Sequence, residues 1–273
     1  MSTFLQEYIS SLEGRWKEVD VIIDKAKAIK DDDYTFYNAI CRSASILIVA
    51  HLEGFIKDLA KCVVNDLNRS GSFVNFPAAI KRTYCSKYLG SALDKDPKAY
   101  YKKLDALILK LDEFDCKITP EPFLFPKNKN PSASMLSTVF ENFGVSNVFG
   151  YLHESKVDDV FAMSISEIKE KNVELKANIV QAAENYPYIV SFEELDFEKR
   201  SPKGRTLWEE FIEQINQRRH SVAHGADFDN ADDVSDLEMR KAKVELLQYT
   251  LSILMAGSIC KPAVRTLDGV AHE

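Results

Sequence analysis

The chain has 273 residues, of which 45% are hydrophobic and 28% charged, and its net charge is −7 from 35 basic and 42 acidic residues. This composition is typical of a soluble globular protein with enough apolar material for one large core. The acidic balance excludes nucleic-acid binding through overall charge, so any such binding needs a local basic patch.

The cysteines and the first residues bear on the compartment. Five cysteines, at 41, 62, 85, 116 and 260, form no CxxC pair and show no zinc-ligand spacing. They indicate reduced thiols that mostly pack, as in a reducing compartment. The N-terminus carries charges too early for a secretory signal, and the longest apolar run, SILIVA, is too short to span a bilayer. We therefore expect a cytoplasmic protein without a membrane segment.

Apolar residues recur at helical spacing along the first seventy residues. This pattern predicts one helix over residues 3–30 and a second from about Tyr34 to Leu67. The intervening triplet Asp31, Asp32 and Asp33 can cap the second helix. Two long amphipathic helices joined by a short turn predict an antiparallel hairpin in an α-helical bundle.

Glu53 lies inside the second helix, four residues after Val49 and three before Ile56, close to the apolar stripe. Carboxylates seldom lie there without a partner. Glu53 therefore either reaches water at the edge of the stripe, or pairs with a buried base such as Arg219 or orients a histidine; we favour a buried partner. His51 is on a different face of this helix and is expected to be exposed.

Residues 69–131 hold a break, short helices and many lysines. The string FVNFPAAIKRTYCSKYL predicts a short helix, and Asp96 with Pro97 starts another, since proline suits the first helical position. Tyrosines interleave with the basic residues, so this region is either an RNA-contacting face or, as is more common, a solvated helix surface. The basic residues are Lys81, Arg82, Lys87, Lys95, Lys98, Lys102, Lys103 and Lys110.

The segment ITPEPFLFPKNKNPSAS has four prolines and little periodicity, which predicts a loop or extended arm. Short elements follow up to residue 203. They are a strand at Phe123 to Phe125, a helix over Met135 to Phe143 capped by Ser132 or Ser134 and stopped by Gly144, a helical element within 145–163, a helix from a Ser164 or Ser166 cap to about Asn185, and a strand at Tyr188 to Phe192.

The stretch LWEEFIEQINQRRHSVAHG, Leu207 to Gly225, predicts a helix with one apolar face that includes Val222 and Ala223. Arg219 lies on that face, and a guanidinium cannot shed its charge, so burial is costly unless the group is paired. With His224 five residues later, the pattern indicates a site for a phosphate or another anion. The alternative is a structural arginine paired with a buried carboxylate, beside solvent-facing histidines.

The chain ends with an acidic loop, a helix and a tail. Gly225 suits a left-handed helix stop, and the loop GADFDNADDVSD lacks the ligand pattern of a calcium loop. A last helix is predicted over about Asp236 to Cys260, capped by Ser235, and the tail to Glu273 is expected to be mobile.

The string RHSVAHG resembles the Arg-x4-6-His motif of the HEPN superfamily, with Arg219 and His224 as its ends. His220 takes the place next to the arginine that Asn, Asp or His often takes there. The string ILIVAHLEGFIKDLAKCVVNDL resembles the long early helix of the RiboL-PSP and MAE-like HEPN branch, which has a Glu where Glu53 stands.

This resemblance implies an all-α fold, a HEPN-like helical bundle with a largely helical insertion. The whole chain, residues 1–273, is expected to form a single domain. Its bundle core is expected to comprise residues 1–68 and 204–260, and the insertion residues 69–203.

The resemblance also implies a metal-independent endoribonuclease without a cofactor, often the toxin of a toxin–antitoxin system or an antiphage effector. RNA carries its own nucleophile, the 2′-hydroxyl, so the enzyme needs a base, an acid and a cation for the phosphorane. The roles implied are phosphate stabilisation by Arg219, general acid or base catalysis by His224, positioning by His220, orientation of Arg219 by Glu53, and substrate binding by Arg218 and Ser221.

A two-fold homodimer is expected because acid and base catalysis need two proton-handling groups. The other histidines, His51, His153 and His272, are not evidently near the motif, whereas a two-fold axis brings each motif beside its own copy. The expected partners are therefore an RNA substrate, a second copy of the chain and an antitoxin or defence-system protein, with no membrane.

Two other functions compete with the ribonuclease. One is a non-catalytic HEPN-like module that binds RNA, nucleotide or a partner protein. The other is a metal hydrolase that uses His220 and His224, although the HExxH glutamate is missing and no third ligand is evident.

Overall fold

The computed structural model describes residues 2–90, 96–125, 131–224 and 232–260, and these residues form an all-α bundle without any β-strand. The predicted all-α fold class is therefore confirmed. The α-helices of this described part are α1 (Phe4–Ile29), α2 (Tyr34–Ser70), α3 (Ala78–Leu89), α4 (Pro97–Glu113), α5 (Ala133–Asn142), α6 (Val148–Leu152), α7 (Ile165–Ala182), α8 (Leu207–Ala223) and α9 (Val234–Ile259).

The hairpin of α1 and α2 is antiparallel, as the sequence predicts. Asp33 caps α2 by accepting a hydrogen bond from the Phe36 backbone N–H. At the other end, the fully buried carboxylate of Asp66 accepts from the backbone N–H groups of Phe4, at 2.8 Å, and Leu5, at 3.0 Å. The far end of α2 thus satisfies donors that the first turn of α1 leaves without helical partners.

The last helix, α9, packs against α1, α2 and α7 and is buried along much of its length. In the core, the Trp16 indole N–H donates to the Gln248 side-chain oxygen at 2.9 Å. Nearer the start of α9, the Asn172 amide of α7 donates to the Ala242 carbonyl at 3.0 Å. Helix α7 therefore joins the bundle although it falls within the segment predicted as an insertion.

Both predicted strands are wrong. Residues Glu121–Phe123 form one turn of 3-10 helix, and no strand is present at Tyr188 to Phe192. Individual side chains in these segments instead make separate contacts with the rest of the protein. The Phe123 ring stacks on Phe143 with centroids 4.7 Å apart, and the Tyr188 hydroxyl donates to Asp66 at 2.8 Å.

The helix caps follow the sequence in most places. Asp96 caps α4, Ser132 caps α5, and Ser164 with Glu167 forms a capping box on α7. Helix α9 differs, because its cap is Asp233 rather than the predicted Ser235. The Asp233 carboxylate also pairs with Lys30 at 3.0 Å, so it gains an ion pair that a serine hydroxyl cannot form.

One helix among the described residues, α2, is long and apolar enough by composition to cross a membrane. The six-residue run SILIVA understates this property, because the apolar residues are spread along the helix. The core helix of a soluble bundle packs in the same way as α2 packs against α1, α8 and α9.

All five cysteines are free thiols, and Cys41 and Cys85 are buried. The predictions for Gly225, for the tail beyond Cys260 and for His272 lie outside the described residues.

Candidate active site

Helix α8 carries the predicted motif at its C-terminal end. Thr206 and Glu209 form a capping box at its start, and its apolar face is buried toward the bundle. The buried side chains are Trp208, Phe211, Ile212, Ile215 and Asn216. Val222 is only half-buried and Ala223 is exposed, so the prediction that they belong to the buried face is wrong. The last turn of α8 therefore has no fully buried side chain, and its residues are half-buried or exposed.

Arg219 lies against α2, where the structure places its guanidinium beside Glu53. The closest pair of atoms, Arg219 Nη1 and Glu53 Oε2, are 3.7 Å apart. The side chains are 25% and 21% exposed, so the pair is partly rather than fully buried. Glu53 also accepts a hydrogen bond from Lys57 Nζ at 2.6 Å through its other oxygen. The pair expected between Glu53 and Arg219 is thus present, with a second cation that shares the carboxylate.

His220 and His224 are both exposed and lie side by side at the end of α8. Their ring centroids are 4.2 Å apart at an interplanar angle of 53°. This arrangement follows from their four-residue spacing, since the backbone N–H of His224 donates to the His220 carbonyl at 3.0 Å. His224 is the C-cap residue that follows the last residue of α8, and its exposed imidazole can reach solvent and a bound ligand.

Arg218 and Ser221, the predicted substrate-binding residues, are both half-buried. Arg218 Nε donates to the carboxylate of Asp232 at 3.2 Å. The same carboxylate accepts from Arg240 and from the Ser45 hydroxyl. Burial alone would raise the pKa of Asp232, but the hydrogen bonds from Arg240 and Ser45 and the charge of Arg218 bring it below its usual value. Asp232 thus joins the end of α8 to α2 and α9.

The remaining described histidines point elsewhere. His51 is half-buried rather than exposed, because its ring packs on Trp16 with centroids 5.0 Å apart. Burial lowers its pKa below the usual 6.5. Its different face from Glu53 is as predicted. His153 lies beside Glu154 and Asp158, between α6 and α7.

No three His, Cys, Asp or Glu side chains lie close enough to hold a metal ion within the part of the chain that the structure describes. A site built on His220 and His224 would need a third protein ligand. That the protein uses no metal and no cofactor remains a prediction.

The proline-rich arm, residues 121–125 and 131–133, packs against helix α8 and beside Lys57 of α2. The Asn216 amide of α8 donates to the Pro131 carbonyl at 2.8 Å. The backbone N–H of Ala133 donates to the Glu213 carboxylate of α8 at 3.3 Å. The Lys57 ammonium lies 5.5 Å from the centroid of the Phe125 ring. The arm is therefore part of the surroundings of the motif.

Three residues of this region were missed by sequence reasoning: Lys57, Asp232 and Arg240. Lys57 stands four residues after Glu53, the spacing of helical ion pairs, so that signal was available in the sequence. The contacts of Asp232 with Arg218, Arg240 and Ser45 join three helices, and no local pattern indicates such a cluster.

An all-α bundle with an arginine and a histidine pair at the end of its penultimate long helix has the layout expected of a HEPN domain. The RiboL-PSP-HEPN family model matches residues 10–254, and the chain belongs to this family. Family membership associates the chain with RNA-related function of the ribonuclease type. Comparison with curated proteins and with solved structures gives no significant match.

Proposed function

We propose that this protein is a metal-independent endoribonuclease that cleaves RNA through attack by the 2′-hydroxyl. The observation that carries the proposal is the composition of the end of α8. Within six residues it presents Arg219, seated beside Glu53, and the exposed pair His220 and His224. A cation for phosphate and groups for proton transfer are what this reaction needs.

In the proposed mechanism, the Arg219 guanidinium binds the scissile phosphate and stabilises the charge that develops on the phosphorane. His224 removes the 2′-hydroxyl proton or protonates the 5′-oxygen that leaves. His220 holds the phosphate or the neighbouring imidazole in position. The bond between phosphorus and the 5′-oxygen breaks as the bond to the 2′-oxygen forms. The products are a 2′,3′-cyclic phosphate and a 5′-hydroxyl, and no water or metal ion takes part in this step.

The proposal includes a two-fold homodimer in which the two α8 ends face each other. The histidine pair of one chain would then supply the base, and the pair of the second chain the acid. Arg218 and Arg219 from both chains would make the shared cleft locally cationic despite the acidic whole. RNA binding should therefore weaken as the salt concentration rises.

A cytoplasmic toxin or antiphage effector is the biological role that we propose for this activity. Such an enzyme would need a neutralising or triggering partner protein. Induced expression should then slow growth and fragment cellular RNA, and His224→Ala should do neither.

The direct test incubates purified protein with single-stranded RNA in excess EDTA and determines the chemistry of the new termini. The expected result is cleavage with 2′,3′-cyclic phosphate ends in the wild type and none in His224→Ala. Arg15→Ala is the matched control, because Arg15 is an exposed arginine on α1 that pairs with Asp58 at 2.8 Å. Cleavage that EDTA abolishes would contradict the mechanism, and RNA binding without cleavage would indicate the non-catalytic module.

A further inference from the structure

The Glu53 carboxylate contacts two cations, and the two contacts differ in length. Lys57 Nζ lies 2.6 Å from Oε1, which is a charge-assisted hydrogen bond. Arg219 Nη1 lies 3.7 Å from Oε2, which is beyond hydrogen-bond distance although still within reach of the charge. The shorter contact therefore belongs to Lys57, and the longer one to Arg219 of the motif.

Lys57 is itself held in place from two sides. Its partner Glu53 lies one turn earlier on α2, and its ammonium lies 5.5 Å from the centroid of the Phe125 ring. Phe125 is 9% exposed, so most of its ring packs against the protein. A cation near an aromatic ring gains electrostatic attraction, and more so when it is partly desolvated. The arm thus fixes the lysine, and the lysine fixes one oxygen of Glu53.

We propose that Lys57 is a positioning residue that keeps Glu53 from closing on Arg219. A carboxylate and a guanidinium left to themselves favour a bidentate pair with both oxygens engaged. Such a pair would hold the guanidinium plane against α2 and hinder its turn toward a phosphate. With Oε1 bound to Lys57, Glu53 orients Arg219 through the charge on Oε2 rather than through a bidentate pair. This role rests on the proposed function of the site.

The test compares Lys57→Met, which keeps the length and removes the charge, with Lys57→Arg, which keeps the charge. Lys61→Met is the matched control, because Lys61 also lies on α2 and pairs with Asp58 at 3.1 Å. Lys57→Met should lower kcat on RNA by about tenfold with little change in KM, since the loss falls on the transition state. Lys57→Arg should retain most of the wild-type kcat, and Lys61→Met should have the same kcat as the wild type.

A double-mutant cycle and a spectrum separate this role from a general structural effect. In a Glu53→Gln background, Lys57→Met should lower kcat no further, because its effect passes through Glu53. The Arg219 Nε–Hε signal in nitrogen–proton correlation spectra, assigned by its loss in Arg219→Lys, should shift in Lys57→Met and stay in place in Lys61→Met.

The outcomes distinguish the two proposals. If the wild type cleaves RNA while Lys57→Met changes neither kcat nor the Arg219 signal, the positioning role is overturned. Additive losses in the double variant would overturn it as well. If the Arg219 signal shifts as expected but the wild type cleaves no RNA, the contact stands and the ribonuclease proposal fails.

Discussion

Asp232 and Arg240 are joined by two charge-assisted hydrogen bonds, 2.8 Å from Nη1 to Oδ2 and 3.1 Å from Nη2 to Oδ1. Arg218 of α8 contacts the same carboxylate, and so does the Ser45 hydroxyl of α2. The two residues therefore tie the start of α9 to the helix that ends in the motif. This tie holds the C-terminal end of α8 against the bundle although its last turn has few buried apolar side chains.

Asp232→Asn should lower the stability of the protein at neutral pH by about 1–3 kcal/mol, because two arginines lose a common anion. The pKa of Asp232 is depressed below 3.8 in the folded state. Its stabilisation is therefore complete above that value and is lost as the pH falls through the lower folded pKa. Melting curves of both proteins should accordingly differ at neutral pH and converge as the pH falls below 3.8 and through the folded pKa. Asp24→Asn, at an exposed position, is the control; an Asp232 variant that melts like it would show the cluster to be unimportant.

Arg219→Ala and His224→Ala should each lower RNA cleavage at least about a hundredfold, since in the proposed mechanism each removes a group that acts on the reacting phosphate or proton. Circular dichroism should show an unchanged helical content, because His224 is exposed and Arg219 is 25% exposed. Initial rates on a defined RNA measure the effect. Full activity in either folded variant would remove that residue from the mechanism.

Glu53→Gln should lower both stability and activity. A fully buried pair would lose about 3–5 kcal/mol when one partner is removed. Since Glu53 and Arg219 are 21% and 25% exposed, solvent screens the charges that remain, and we expect a loss of about 1 kcal/mol. Urea unfolding measures it, with Glu170→Gln, on the exposed surface of α7, as the control. A Glu53 variant that unfolds and cleaves like the wild type would show that neither cation depends on the carboxylate.

His51 should make the stability depend on pH in a second window. Burial beside Trp16 lowers its pKa in the folded protein below 6.5, so the unfolded chain takes up the proton more readily. The neutral form's stabilisation is complete above pH 6.5 and is lost as the pH falls toward the folded pKa. His51→Phe, which keeps a ring on Trp16, should flatten the dependence of Tm on pH just below 6.5. Parallel curves for the two proteins would show that His51 does not titrate on unfolding.

A mixed dimer should test the shared cleft. Inactive Arg219→Ala and inactive His224→Ala chains, co-expressed with different tags and purified as heterodimers, should recover part of the cleavage activity. The physical reason is that one two-fold cleft would still contain one intact Arg219 and one intact His224, and recovery is expected provided that one of each suffices. Each mutant homodimer is the control. A monomer in solution that cleaves RNA at the wild-type rate would refute the composite cleft.

The long helices could be predicted because their apolar period, aspartate caps and serine caps are local signals. The short chemistry-bearing string could be predicted too, since Arg219 and His224 stand out on one helix. What could not be predicted depends on contacts between distant residues. The second cation on Glu53, the Asp232 cluster and the docking of the arm on Asn216 arise only when α2, α8 and α9 are assembled. The two predicted strands are wrong because a run of aromatic residues near a proline has the same sequence pattern in two cases. It can pair with a neighbouring strand, or its side chains can pack individually into the core.

The docked arm and α7 also set a lower limit on how far the chain can be shortened. A miniature protein that joined residue 68 directly to residue 204 would lose the Pro131 carbonyl that holds Asn216 and the Phe125 ring beside Lys57. It would also lose α7 and leave uncovered the side of α9 that this helix buries. Deleting the middle of the sequence is therefore unsuitable for obtaining a small catalytic unit, because this part of the chain packs against the helices at both ends of the sequence.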